Sequence, residues 1–156
     1  CWQIRVDTVF RQVIHHCAVA PRKGQRGTWI HPEMIDAYCH LHRQGHAHSV
    51  EVFSGETLVG GIYGVAIGRM FFGESMFSLE SGASKIALAA LGKILHAWGW
   101  PLLDAQVENP HLQFMGAKFM ERHEFILEVA RLSALAEVTG LWTGRIAPFA
   151  AIECLS

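Results

Sequence analysis

The amino-acid sequence predicts an α+β domain in which helices flank a mixed β-sheet. Three observations lead there. The 156 residues are 51% hydrophobic and 17% charged, enough apolar material for one buried core. Apolar spacing switches between helical and alternating in the order strand, helix, helix, three strands, helix, strand, helix. Composition is even from end to end, without repeats or low-complexity segments, so one domain over residues 1–156 accommodates every element.

Residues 2–6 alternate as a strand, and Asp7 is placed to cap a helix carrying Val9, Phe10, Val13, Ile14 and Cys17 on one stripe. Residues 21–27 form a basic loop with Arg22, Lys23 and Arg26. Pro32 opens a second helix that turns Met34, Ile35, Tyr38, Cys39 and Leu41 inward and stops at Gly45. Strands follow at 49–53, 58–67 and 70–73, with turns at 54–56 and 68–69, an antiparallel meander. Residues 84–98 read as a long helix burying Ile86, Leu88, Leu91, Ile94 and Leu95, ended by Gly99 and Pro101. Residues 102–107 form a short buried strand, 112–116 a short helix and 121–138 a longer one, while the segment from Gly140 onward has no assignment. The chain starts at Cys1 inside a strand-like pattern, so a preceding segment is expected.

Composition excludes several classes. Thirteen Lys plus Arg against fourteen Asp plus Glu give a net charge of -1, so any nucleic-acid contact has to come from a local basic patch. Four scattered cysteines form no C-x-x-C pair and no disulfide scaffold, which suits a reducing, cytoplasmic compartment. No apolar run approaches the ~18 residues of a membrane helix, so no membrane partner is expected. Residues 73–77, Gly-Glu-Ser-Met-Phe, lack the closing glycine of a nucleophile elbow. Ten histidines include His40, His42, His46 and His48, but no H-E-x-x-H occurs; they read as surface or capping residues, with no metal. Gly60, Gly61 and Gly64 lie inside a strand pattern without a phosphate-loop lysine, and are expected to let something approach the backbone closely.

Six strings remain: Gly-Thr-Trp-Ile at 27–30, Ala-His-Ser-Val-Glu-Val at 47–52, Leu-Val-Gly-Gly-Ile-Tyr-Gly-Val at 58–65, Gly-Glu-Ser-Met-Phe-Ser at 73–78, Ala-Ser-Lys at 83–85 and Leu-Asp-Ala-Gln-Val at 103–107. In this order and spacing, with Asn109-Pro-His111, Gly116-Ala117 and Arg122, they resemble the bacterial leucyl/phenylalanyl-tRNA-protein transferases over about residues 4–126. Beyond residue 127 the resemblance fades into a diverged tail, in which Trp142 is loosely similar to an aromatic near the family's end.

The resemblance implies a GNAT-like catalytic domain that moves Leu or Phe, sometimes Met, from aminoacyl-tRNA to the α-amino group of proteins beginning with Arg or Lys, marking them for degradation by the N-end rule. Aminoacyl-tRNA is then a co-substrate and no further cofactor is needed. A GNAT acetyltransferase is the competitor, but residues 78–83 read Ser-Leu-Glu-Ser-Gly-Ala and lack the Gln/Arg-x-x-Gly-x-Gly/Ala signature for a pyrophosphate. Aminolysis of an activated ester needs positioning and removal of a proton, and the attacking α-amine, with a pKa near ~7.7–8.0, needs only a modest base. Asp104 and Gln106 stand two apart in the expected strand and should share a face, and the family's matching pair is a relay from carboxylate to amide to amine.

Glu74 matches an acidic residue suited to a basic acceptor. An apolar amino-acid pocket is matched by Ile62, Met76, Ser78, Leu91, Leu95 and Leu103, with Leu91 and Leu95 one helical turn apart. Such a pocket separates ligands differing by one methylene by only ~1–3 kcal/mol, so loose selectivity is expected. For tRNA, Arg22, Lys23 and Arg26 supply a basic path to Trp29, which matches a tryptophan beside the terminal adenosine, and Lys85 adds charge near the site. Family members also carry an N-terminal domain absent from this sequence. A second hypothesis is therefore a non-catalytic remnant that binds aminoacyl-tRNA or a peptide N-terminus.

Overall fold

The computed structural model describes residues 2–20 and 29–155; the expected basic path through Arg22, Lys23 and Arg26 lies outside the described residues. The chain runs β1 (Trp2–Val6), α1 (Phe10–Val19), α2 (Pro32–Arg43), β2 (Ala47–Ser54), β3 (Thr57–Ile67), β4 (Met70–Ser78), α3 (Ala83–Ala97), β5 (Leu102–Asp104), α4 (Pro110–Phe114), α5 (Arg122–Ser133) and β6 (Phe149–Ala150), with 3-10 turns at Trp142–Gly144 and Ala151–Leu155. The strands form one sheet in the order β5-β4-β3-β2-β1-β6. Every pairing is antiparallel except β4 with β5, which α3 joins by a crossover. This is the expected α+β arrangement of a mixed sheet with flanking helices.

Each face of the sheet carries its own core. On one, α3 packs Ala83, Ala87, Ala90, Leu91, Ile94 and Leu95 against Ile4, Val50, Val52, Ile62 and Phe71. On the other, α1 and α2 pack Phe10, Val13, Ile14, Cys17 and Cys39 against Phe53, Leu58, Tyr63 and Phe77. The strand glycines serve this packing. A Cβ on Gly60 would lie 2.4 Å from the Ala83 Cβ, and one on Gly64 2.5 Å from the Phe71 ring, so what approaches the backbone is the protein's own α3 and β4.

Several boundaries differ from expectation. β4 runs to Ser78, five residues beyond the expected end at Gly73, because its second half keeps pairing with β3. α5 ends at Ser133 rather than residue 138, and β5 stops at Asp104 rather than Val107. Asp7 does not cap α1. Its backbone turns to φ 55°, and its buried carboxylate accepts from Ser49 N (2.9 Å), Trp142 N (2.7 Å) and His48 Nδ1 (2.8 Å). The start of α1 is held instead by the fully buried Glu51, which accepts from the backbone N–H groups of Thr8 and Val9 and from the hydroxyls of Thr8 and Ser49. Burial pushes the Glu51 carboxyl above its ordinary pKa.

The unassigned C-terminal segment is part of the core. Trp142, 1% exposed, stacks on His48 with ring centroids 4.0 Å apart and meets Trp98 edge-on at 4.9 Å, while β6 pairs with β1 at Gln3 and Ile4. His48 is therefore a buried, paired residue rather than a surface or capping one.

Candidate active site

The sheet opens where β4 outruns β5. The parallel register joins Met70, Phe71 and Phe72 to Leu102, Leu103 and Asp104, and there the pairing ends. Gly73–Ser78 continues beside β3 alone, and this stretch of the β4 edge, past the last β5 pair, is the notch referred to below. A Cβ on Gly73 would lie 3.2 Å from the Asp104 carbonyl oxygen, so the two strands are still in close contact at the base of the notch.

The β3–β4 register shifts between Tyr63 and Gly64: Tyr63 pairs with Ser75 and Gly64 with Gly73, so Glu74 is the extra residue of a β-bulge. A bulge re-aims the side chain it carries. The half-buried Glu74 carboxylate accepts a hydrogen bond from the Tyr38 hydroxyl of α2. Burial first, then the charge and hydrogen bond of Glu74, push the Tyr38 phenol up to about 12, so it is a donor throughout the physiological range. Tyr38 also meets Tyr63 edge-on at 5.3 Å. In the sequence Tyr38 carries only the signal of an inward-facing helix residue; its link to Glu74 depends on the bulge.

Asp104 and Gln106 do not share a strand face, since β5 ends at Asp104 and Gln106 adopts φ 62°. The Asp104 carboxylate instead accepts the Gln106 backbone N–H at 2.8 Å, an Asx turn that fixes the exposed Gln106 just past the strand end. Asp104 pairs in register with Phe72, two residues before Glu74 on β4, so the acidic positions 74 and 104 lie at the two strand ends that border the notch.

The residues matched to an apolar pocket gather on the α3 face. Leu91 (0% exposed), Leu95 (2%) and Ile62 (5%) are closed inside that core, while Met76 and Leu103 are half-buried and pack against it. Ser78 is exposed, and its hydroxyl accepts the Ser84 backbone N–H at 2.8 Å in the first turn of α3. Lys85, one residue on, lies over the Phe114 ring of α4 at 5.1 Å. Trp29 is 40% exposed.

Two hollows lie elsewhere. One of about 100 Å³ sits between His48, Gly68, Trp100, Glu137 and Trp142; a groove of about 300 Å³ lies between Thr8, Phe10, Arg11, His42 and Arg43. Among the described residues no cluster of three His, Cys, Asp or Glu side chains is placed to hold a metal, and no helix is long and apolar enough to cross a membrane.

Comparison with solved structures agrees with this architecture. A ribosomal-protein-alanine N-acetyltransferase from Brucella melitensis biovar Abortus 2308 superposes with a TM-score of 0.50 at 12% identity, over 90% of this chain and 96% of that one. An aminoglycoside acetyltransferase from an uncultured soil metagenomic sample gives 0.51 at 15% identity, over 89% and 91%. These likenesses establish the GNAT-like fold alone. Sequence comparison goes further. The chain is 64% identical over 152 residues to a leucyl/phenylalanyl-tRNA–protein transferase of Xanthomonas oryzae pv. oryzae, covering 97% of this chain and 61% of that protein. It is 58% identical over 142 residues to the protein of that name from Xylella fastidiosa, covering 91% and 58%. The chain thus spans about three fifths of the length of these curated relatives. The family model described as leucyl/phenylalanyl-tRNA protein transferase matches residues 1–130, which hold the bulge at Glu74, the turn at Asp104 and the notch between them; the chain belongs to that family.

Proposed function

We propose that this chain carries the acyl-transfer site of a cytoplasmic enzyme that moves Leu or Phe, or Met, from aminoacyl-tRNA to the α-amino group of proteins with N-terminal Arg or Lys, marking them for degradation. The observation that carries the reading is the notch itself. It is an edge of β4 left without a strand partner past β5, with a bulged carboxylate on β4 and a turn-held amide after β5, in a chain of this family.

In this reading the ester-bound amino acid enters at the notch and the acceptor amine approaches its carbonyl carbon. A C–N bond forms, the bond from that carbon to the terminal ribose oxygen breaks, and the proton lost by the amine ends on the released ribose hydroxyl. The reaction needs orientation more than strong acid or base, because the ester is already activated. Gln106 accepts a hydrogen bond from the amine, and Asp104 is a positioning residue that holds Gln106 through its backbone. Glu74, oriented by Tyr38, pairs with the basic side chain of the acceptor's first residue. The apolar side chain of Leu or Phe lodges against Met76 and Leu103, the half-buried members of the α3-face set, with Ile62, Leu91 and Leu95 as the wall behind them and Ser78 at the rim. Trp29, Lys85 and the basic stretch with Arg22, Lys23 and Arg26 serve the tRNA.

The test is label transfer. The chain is incubated with radiolabelled Leu-tRNA and a protein beginning with Arg, in parallel with Gln106→Ala. Transfer that the substitution abolishes supports the enzyme. Absent transfer together with retained tRNA binding refutes it and favours the remnant, a reading motivated by the chain's partial span of its relatives.

A further inference from the structure

His46 and His48, which the proposed function leaves unused, line the hollow of about 100 Å³. It lies at the other end of the sheet from the notch, between the start of β2, the β3–β4 turn at Gly68 and Trp100, just before β5. The C-terminal segment closes its remaining side through Glu137, Val138, Thr139 and Trp142. That segment lies so close to the two turns that a Cβ on Gly45 would collide with Gly140, and one on Gly68 with the Leu132 carbonyl oxygen.

One polar atom of the wall has no partner. The His48 ring is buried, donates from Nδ1 to Asp7 at 2.8 Å and stacks on Trp142. A neutral imidazole that donates from Nδ1 carries its lone pair on Nε2. Among the described residues nothing hydrogen-bonds Nε2, and the atom is not sealed off, so its lone pair opens into the hollow that His48 lines. An acceptor held away from bulk water is costly to leave unmet, which favours an occupant with a donor hydrogen.

The charge in the wall is already matched. Glu137 accepts from the Trp100 indole N–H at 3.1 Å and the Val138 N–H at 3.0 Å, and pairs with Arg69 at 3.4 Å and Arg145 at 3.5 Å. Burial works against its charged form, but these partners outweigh burial and hold the carboxyl below its ordinary pKa. An ion of either sign therefore finds no uncompensated countercharge here. Trp100 and Trp142, 4% and 1% exposed, meet edge-on at 6.2 Å and offer apolar walls to a flat body. The volume is smaller than the ~150 Å³ of an engineered cavity that holds benzene, which limits the occupant to about five heavy atoms.

We propose that this hollow is a binding site for a small, neutral, planar molecule of the class of five-membered N–H heterocycles, which donates its N–H to His48 Nε2. The site is independent of the notch and of the transfer reaction.

Pyrrole and furan separate the hydrogen bond from the shape, since the two rings are of like size and only pyrrole has an N–H. Each is titrated into the nitrogen-15-labelled 156-residue chain and followed through the indole N–H signals of Trp100 and Trp142 and the amides of Gly45 and Gly68. Pyrrole moves these signals saturably, binds about fivefold or more tightly than furan, and raises the thermal midpoint as its concentration rises. Ala66→Leu fills the hollow from β3, and Thr139→Trp fills it from an exposed position on the C-terminal segment. Either variant, with an amide spectrum otherwise like the parent's, loses pyrrole binding; the comparison of pyrrole with furan on the parent stands whether or not these variants fold. Equal affinities for the two rings, shifts that never saturate, or saturable shifts that persist in a folded filled variant overturn the site. So does a hollow that holds ordered water only, read as water-to-indole cross-peaks at Trp100 unchanged at the highest pyrrole concentration.

Discussion

Trp142 is the side chain on which the two ends of the chain converge. It is 1% exposed, stacks on His48, contacts Phe71, Trp98 and Trp100, and sends its backbone N–H to the Asp7 carboxylate. Trp142→Ala removes most of a buried indole of ~150–250 Å², and large-to-small changes of this kind cost ~3–5 kcal/mol. Against a total stability of ~5–15 kcal/mol this is a large fraction. With a urea slope of ~2 kcal/mol/M the midpoint falls by ~2 M. Val138→Ala, in the same segment but at a residue 69% exposed, leaves the midpoint nearly unchanged. The assay is equilibrium urea unfolding followed by far-UV circular dichroism, since the substitution alters tryptophan fluorescence itself. A midpoint shift below ~0.5 M for Trp142→Ala, or equal shifts for the two variants, would show that the C-terminal segment is an appendage and that Asp7 and His48 are held by something else.

Glu51 gives a pH signature. Burial raises its carboxyl pKa in the fold, so the folded chain binds this proton more tightly than the unfolded chain, and Glu51's contribution to stability falls as pH rises from the unfolded value near ~4.3 through the higher folded one. Urea midpoints of parent and Glu51→Gln measured from pH 4 to 7 therefore differ progressively more against the parent as pH rises, and a difference that is constant or reversed rejects the reading. Met76→Ala and Leu91→Ala separate pocket from wall. Leu91→Ala, at a position 0% exposed, costs ~2–5 kcal/mol, whereas Met76→Ala costs less and changes the ratio of kcat/KM for Leu-tRNA to Phe-tRNA; the opposite pattern in melts and transfer rates refutes the assignment.

The fold was largely legible because periodicity reports burial. The stripe at Phe10, Val13, Ile14 and Cys17 is buried as its spacing requires, and the strands expected at 49–53 and 58–67 pair with each other as parts of β2 and β3. What the sequence concealed was non-local. Asp7 reads as a helix cap because a short acid before an apolar stripe usually is one, yet three donors from β2 and the distant Trp142 segment claim it. The end of β5 escaped because Leu102–Val107 alternates well enough for a strand, while the carboxylate of Asp104 competes for the Gln106 N–H and turns the chain at φ 62°. The Glu74 bulge left no trace at all, since one extra residue in a strand changes no composition.

These two irregularities fall on either side of the same opening, and regular β structure would have closed it. Had β5 continued beside Gly73–Ser78, its backbone would have satisfied the outer edge of β4 and filled the notch with a strand. Had β4 kept register with β3 through residue 74, alternation would have fixed that side chain by its place in the pleat. The Asx turn ends the first strand, the bulge re-aims one residue of the second, and Tyr38 holds the re-aimed carboxylate from the neighbouring helix. On the α3 face Leu91 and Leu95 are fixed by their neighbours, so under the proposed function adaptation to different apolar side chains falls to the half-buried Met76, whose unbranched thioether changes shape at low cost, and Leu103. Under the proposed function, a rigid wall with one soft member at its rim is expected to discriminate only loosely between Leu and Phe.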